Sequence, residues 1–421
     1  MHGHGQRTTK TAWLRVGIAV LAVAAVVPVA HGARSPARAA TAVPRVAHIV
    51  IQPQRLATGA LAGVAAISAK DAWAVGTTSI DFDTSHGHAL IEHWNGSAWT
   101  VLPSPVGPGS HLDAVTARSA NDAWAVGSVS TGTSNPRQLI LRWDGHTWKR
   151  IASPTPGHGS TLNGVTELSR HDAWAVGSME VSLGRRLLIE HWNGHVWKRV
   201  VKTPRLPKGF IDAALNSVSG TSAHNVWAVG SMTNCGCGPG LPVALHWNGR
   251  VWTRHGISGL RSPYNLNGVD VVSARRAFVA GETGEGDSPT HAQIARFTGR
   301  RWGLQHTPSP HHTGRPSDFL SGVSAVTRND AWAVGQTASN VLLERFNGRA
   351  WRQVDDRIVL PQIAPGVSPG AHDDTLAAVA STSRTNAWAV GAVHRRLAND
   401  SLALILHWNG SAWSCCDPLA P

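Results

Sequence analysis

Three methionines, one tyrosine and four cysteines are all that 421 residues contain of these types, and only 15 % of the chain is charged. So little charge argues against a disordered chain, and with glycine (43) and proline (24) both plentiful it argues against a helical one. What remains is the balance of a β-rich, loop-rich globular protein. Long hydrophobic runs are also missing. The one apolar run, Val16 to Ala30, falls short of the roughly 20 residues that span a bilayer.

That run follows Arg7, Lys10 and Arg15 and precedes Ala37-Arg38-Ala39, a small-x-small cleavage site. Residues 1–39 therefore read as a secretory signal peptide. No cysteine follows the run, which argues against a lipoprotein, and no paired arginines suggest twin-arginine export. The expected location is secreted, extracellular or associated with a bacterial cell envelope, with no transmembrane segment after cleavage. Residues 1–39 carry five basic residues (Arg7, Lys10, Arg15, Arg34, Arg38) and no acid, so cleavage takes the formal charge from +13 to +8. An exported chain of this sign attracts anionic polymers.

The stretch "DAWAVG" occurs at Asp71, Asp122, Asp172 and Asp330, with near-copies at Asn225, Arg276 and Asn386. The central aromatics are Trp73, Trp124, Trp174, Trp227, Phe278, Trp332 and Trp388, spaced 51, 50, 53, 51, 54 and 56 residues apart. Such a period marks an array of supersecondary units. Each unit holds four short runs bounded by turn residues; in the first these are Leu61–Ile67, Ala72–Gly76, Ala89–Trp94 and Ala98–Leu102. The expected fold is all-β, a single seven-bladed β-propeller of four-stranded antiparallel blades. The expected blades are about 61–105, 112–154, 162–204, 215–258, 266–308, 320–360 and 376–416 within a propeller of 61–421. The small-residue first run ("LAGVAA", "LNGVTE") belongs innermost, where blades crowd the axis. Asn-Gly or Asp-Gly between the last two runs, as at Asn95-Gly96, predicts tight hairpins in which both residues take positive φ. The segment 40–60 holds a closing strand, 47–52, in the place of a fourth strand ahead of the first unit. It should pair with the last blade near "AWSCCDP" and protect an open edge.

Strand direction sorts the loops onto two faces. First-to-second and third-to-fourth connections are short; second-to-third and blade-to-blade connections are long and variable, so a functional site belongs on that second face. Every tryptophan outside the signal segment sits at one of three repeat positions, which reserves the indoles for scaffold. The His or Arg before each Trp-Asn-Gly, facing the Asp or Asn that opens the second strand, reads as a repeated structural hydrogen bond. On the variable face Arg185, Arg186, Arg261, Arg315, Arg395 and Arg396 form a candidate anion-binding rim. Asp81, Asp83, His86 and His88 form an acid and imidazole group of the type that holds a divalent metal, although their spacing matches no standard site. His311, His312, His372, Asp373 and Asp374 form a second such group. Cys235, Cys237, Cys415 and Cys416 are expected to be oxidised in an exported chain, as local Cys235–Cys237 and Cys415–Cys416 bridges.

The repeated unit resembles bacterial secreted propellers of the kelch-like and Asp-box (sialidase-like) kinds over residues ~43–421. Gly145-His146-Thr147-Trp148 matches the Gly-x-Thr-Trp end of the Asp-box. The place of the Asp-box aspartate holds Trp94, Trp143, Trp192, Trp247 and Trp408, and no Arg-Ile-Pro motif is present. The resemblance thus implies the fold and not glycosidase activity. Two function classes follow. One is a monomeric, non-catalytic binding scaffold without cofactor, holding an anionic cell-envelope polymer or a protein partner; no specific nucleic-acid motif is present. The other is a polysaccharide-active hydrolase or lyase over the channel, with Glu282, Glu285, Asp287, Asp373 and Asp374 as candidate carboxylates.

Overall fold

The computed structural model describes residues 49–51, 58–78, 87–130, 132, 135–154, 159–234, 240–260, 264–284, 290–308, 318–337, 340–354, 358–359, 374–395 and 400–415. The expected signal segment lies outside them. Seven antiparallel sheets follow one another along the chain, each with four strands from one contiguous segment, and they form a seven-bladed β-propeller. The third blade is representative: Ser160–Ser169, Asp172–Glu180, Arg185–Trp192 and Trp197–Arg199, in that spatial order. The first strands of all seven blades line a central channel of about 570 Å³. Among the described residues no helix is long and apolar enough to cross a membrane.

Packing explains why "DAWAVG" recurs. Its glycine leaves room for the inner strand: a Cβ on Gly76 would overlap the carbonyl oxygen of Ala60, and one on Gly177 that of Thr161, with the same geometry in the other blades. Its tryptophan is buried and reaches the next blade. Trp73 lies 5.0 Å from Trp143 and 5.1 Å from Trp148, the latter edge-on. The same trio recurs at every junction, including the one that closes the ring, where Trp388 of the last blade meets Trp94 and Trp99 of the first, each at 5.1 Å. Such pairs contribute about 0.5–1.5 kcal/mol each beyond the area they bury.

The polar pair on the central tryptophan is a scaffold element. His93 Nε2 meets Asp71 at 2.9 Å and the imidazole lies 4.2 Å from Trp73, while Arg345 forks to Asp330 over Trp332. In the fifth blade Arg276 stands in the aspartate's place opposite Arg296, and the pair is lost.

The hairpin after the third strand differs from the two-residue turn expected. Trp94 pairs with Trp99, leaving four residues between them. Gly96 takes φ 94°, and Asn95 Oδ1 accepts hydrogen bonds from the backbone N–H of Ser97 and Ala98. The asparagine is there to close the loop with its side chain.

Two blades carry extra strands on the outer edge. Ile257–Ser258 runs parallel to Trp302–Gln305 of the fifth blade. Ile49–Ile51 runs parallel to Trp413–Cys415 of the seventh, with Ile358–Val359 outside it. The segment thus pairs with the last blade at Ser414 and Cys415, as expected, but as a parallel strand outside Trp413–Cys415, which is the blade's own fourth strand; every blade is built from its own segment. Circular closure rests on the aromatic trio and on Gly59 N–H donating to Ser401 C=O at 2.8 Å.

Candidate functional site

The long second-to-third and blade-to-blade connections share one face, and two features there carry charge. The first is a groove of about 740 Å³ between the hairpin that opens the third strand of blade three and the linker 200–211. Arg185 and Arg186, two of the six rim arginines expected, line it. Arg185 is occupied internally: its guanidinium forks onto Asp212 at 2.8 and 2.9 Å and holds that carboxyl below the usual carboxylate range. Arg186 is exposed and joined by Arg199, Arg205 and Lys208, while no Asp or Glu lines the groove. Among the described residues no ion pair involves Arg186, Arg205 or Lys208. Leu183 and Val201, each 74 % exposed, and Ile211, 43 % exposed, add aliphatic surface to the walls.

The second feature is the mouth of the channel. Asp113 of blade two projects into it, and burial pushes its carboxyl up to about 6 despite the opposing effect of His111, whose Nε2 is 3.6 Å away. Ser128 Oγ lies 2.9 Å from the same Nε2. Serine, histidine and aspartate thus meet, but a relay needs the two partners on different ring nitrogens. Here both address Nε2, and Ser128 is fully buried. No nucleophile results. Deeper in the channel, burial also raises Asp270, against hydrogen bonds from Ser219 Oγ and the backbone N–H of Ala325.

The remaining sequence candidates divide sharply. Arg261, Arg315 and Arg396 lie outside the described residues, as does the side chain of Arg395. So do Asp81, Asp83 and His86; His88 is exposed, its backbone N–H bonded to Thr78 Oγ1. Among the described residues no three His, Cys, Asp or Glu side chains gather as metal ligands. His311, His312, His372, Asp373, Glu285 and Asp287 are likewise outside, whereas Glu282 accepts a bond from Asn265 and Asp374 is buried at the start of blade seven. Cys415 is buried and disulfide-bonded; Cys235, Cys237 and Cys416 lie outside the described residues. Sequence reasoning missed Arg199, Arg205, Lys208, His111 and Asp113. The linker "VVKTPRLPKGFI", with three basic residues and no acid, was the available signal.

No family model matches the chain, and no curated protein does. Solved structures do. YCF48 bound to a D1 peptide is 14 % identical, over 86 % of this chain and 99 % of that one, at a TM-score of 0.49. The PL25 ulvan lyase bound to a GlcA(1-4)Rha3S saccharide is 10 % identical over 88 % and 94 %, at 0.50. The GH74 xyloglucanase from Xanthomonas campestris is 13 % identical over 87 % and 69 %, at 0.40. The likeness to the lyase is one of fold, and the two weaker ones carry nothing further.

Proposed function

We propose that this protein is a non-catalytic binding scaffold, exported and associated with a bacterial cell envelope, whose variable face holds an anionic partner in the groove beside blade three. The observation that carries the reading is a concave site with Arg186, Arg199, Arg205 and Lys208 on its walls and no acid among them. A carboxylate or phosphate entering it meets Arg186, Arg205 and Lys208, none of which is in an ion pair among the described residues. The basic balance of the chain, +8 after removal of 1–39, supports the same reading. Export rests on the apolar run and cleavage site of that segment; detection of a cleaved N-terminus at Ala40 in culture medium or envelope fractions checks it.

The test is sedimentation of residues 40–421 with isolated bacterial envelopes at low and high salt. Binding at low salt that is lost at high salt is expected, because exposed charges are screened beyond roughly 10 Å at 0.1 M ionic strength. Absence of binding at either salt sinks the reading. A second reading, a polysaccharide-active enzyme, is favoured by one observation, the Asp113–His111 pair at the channel mouth. Its check is release of sugar ends from a panel of uronate polysaccharides, abolished in Asp113→Asn.

A further inference from the structure

The cations explain attraction; the aliphatic walls narrow the partner. Of the seven large hydrophobic side chains exposed on the described residues, three (Leu183, Val201 and Ile211) stand in this one groove. A purely ionic polymer such as a polyphosphate gains nothing from them, and a saccharide would use an aromatic ring for stacking. The groove offers a single ring, Phe210, which packs against the hydrophobic core between blades three and four. An extended peptide that alternates acidic and aliphatic residues matches both surfaces, since successive side chains point to opposite sides.

The sheet supplies a place for its backbone. The outer strand of blade three, Trp197–Arg199, is the last in its sheet, and its end runs into the groove at Arg199 and Val201. Blades five and seven show that this edge accepts another strand: Ile257 pairs with Trp302 and Val50 with Ser414, both parallel. Among the described residues no strand covers this edge in blade three, next to the cations.

We infer that the groove binds an acidic, aliphatic-rich protein segment, which lies extended and adds as a strand to Trp197–Arg199. Main-chain hydrogen bonds to the edge supply affinity and alternate side chains supply specificity. The inference rests on the reading of the groove as the binding site, and it selects a protein partner over a polysaccharide or polyphosphate.

The test is fluorescence anisotropy on residues 40–421 with a labelled peptide of about ten residues alternating Glu with Val. Polyglutamate of equal charge, a uronate polymer, polyphosphate and the same peptide N-methylated at alternate backbone positions serve as comparators. The alternating peptide should bind about tenfold more tightly than polyglutamate, lose that advantage with Leu183→Asp/Val201→Asp, and lose most of its affinity on N-methylation. Equal binding of polyglutamate, uronate or polyphosphate overturns the inference and leaves the anionic groove standing. Undiminished binding of the N-methylated peptide overturns strand addition. No binding of any of these probes removes both the inference and the function beneath it.

Discussion

Blades three and five share a fold and differ in what they leave open. Blade three keeps the polar pair, His191 Nε2 to Asp172 at 2.8 Å, beneath its hydrophobic trio, and no strand among the described residues covers its outer edge beside the cationic groove. Blade five has Phe278 for tryptophan and faces Arg276 with Arg296, yet it packs in the same way, and Ile257–Ser258 covers its edge. The difference teaches that inter-blade packing fixes the scaffold while the polar pair tunes it. Edge and linker are the parts free to take on a role.

Mutations can break or sharpen this comparison. The largest effect should come from the packing that both blades share. Trp174→Ala and Phe278→Ala should each cost ~3–5 kcal/mol in denaturant unfolding, and a much smaller loss in blade five would show that its trio is not equivalent. Next in size is a pH effect carried in blade three by Glu190. Glu190 is fully buried beside Gln138, and burial lifts its carboxyl to about 7, whereas Ala295 takes the matching position in blade five. An acid whose pKa is raised on folding favours the folded state below its unfolded pKa of about 4.5 and loses that contribution as pH climbs through about 7. Glu190→Gln should therefore flatten the fall in stability between those values, by an amount on the order of 2 kcal/mol. Glu92 and Glu344, raised by burial to about 7 and about 8, add to the same slope in the wild-type chain.

The smallest effect concerns the polar pair. Asp172→Ala should cost about 1 kcal/mol, since His191 is partly exposed and water replaces some of what is lost. Arg276→Asp should move blade five the other way, gaining up to about 1 kcal/mol by giving Arg296 a partner in place of a like charge. Both are read as shifts in the unfolding midpoint, and a destabilising Arg276→Asp would contradict the account.

The parts of the architecture that repeat were legible in the sequence. Trp73 and its counterparts set the period, and the small residues around Gly63 announced a strand packed backbone to backbone, where a Cβ would come within 2.9 Å of Ala114 Cα. What does not repeat was harder to read. Ile257–Ser258 is two residues long and finds its partner 45 positions away, so no local pattern marks it. The groove escaped for a related reason: Arg186, Arg199, Arg205 and Lys208 converge from a strand start, a strand end and a linker. Arg185 was legible as a charge but not as a neutralised one, because Asp212 lies 27 residues on. Asp113 and His111 looked like ordinary polar positions until the first strands closed around the channel.

The comparison of blades also supplies the most direct test of the groove. Blade five carries three exposed arginines of its own, Arg275, Arg300 and Arg301, so equal charge can be reversed in either place. Affinity for labelled polyglutamate is measured at low ionic strength for the wild type, for Arg186→Glu/Arg205→Glu/Lys208→Glu and for Arg275→Glu/Arg300→Glu/Arg301→Glu. The account predicts at least about tenfold weaker binding for the groove variant and less than about threefold change for the blade-five variant. Equal losses in both would mean that the chain attracts anions through net charge alone, and the groove would no longer be the site.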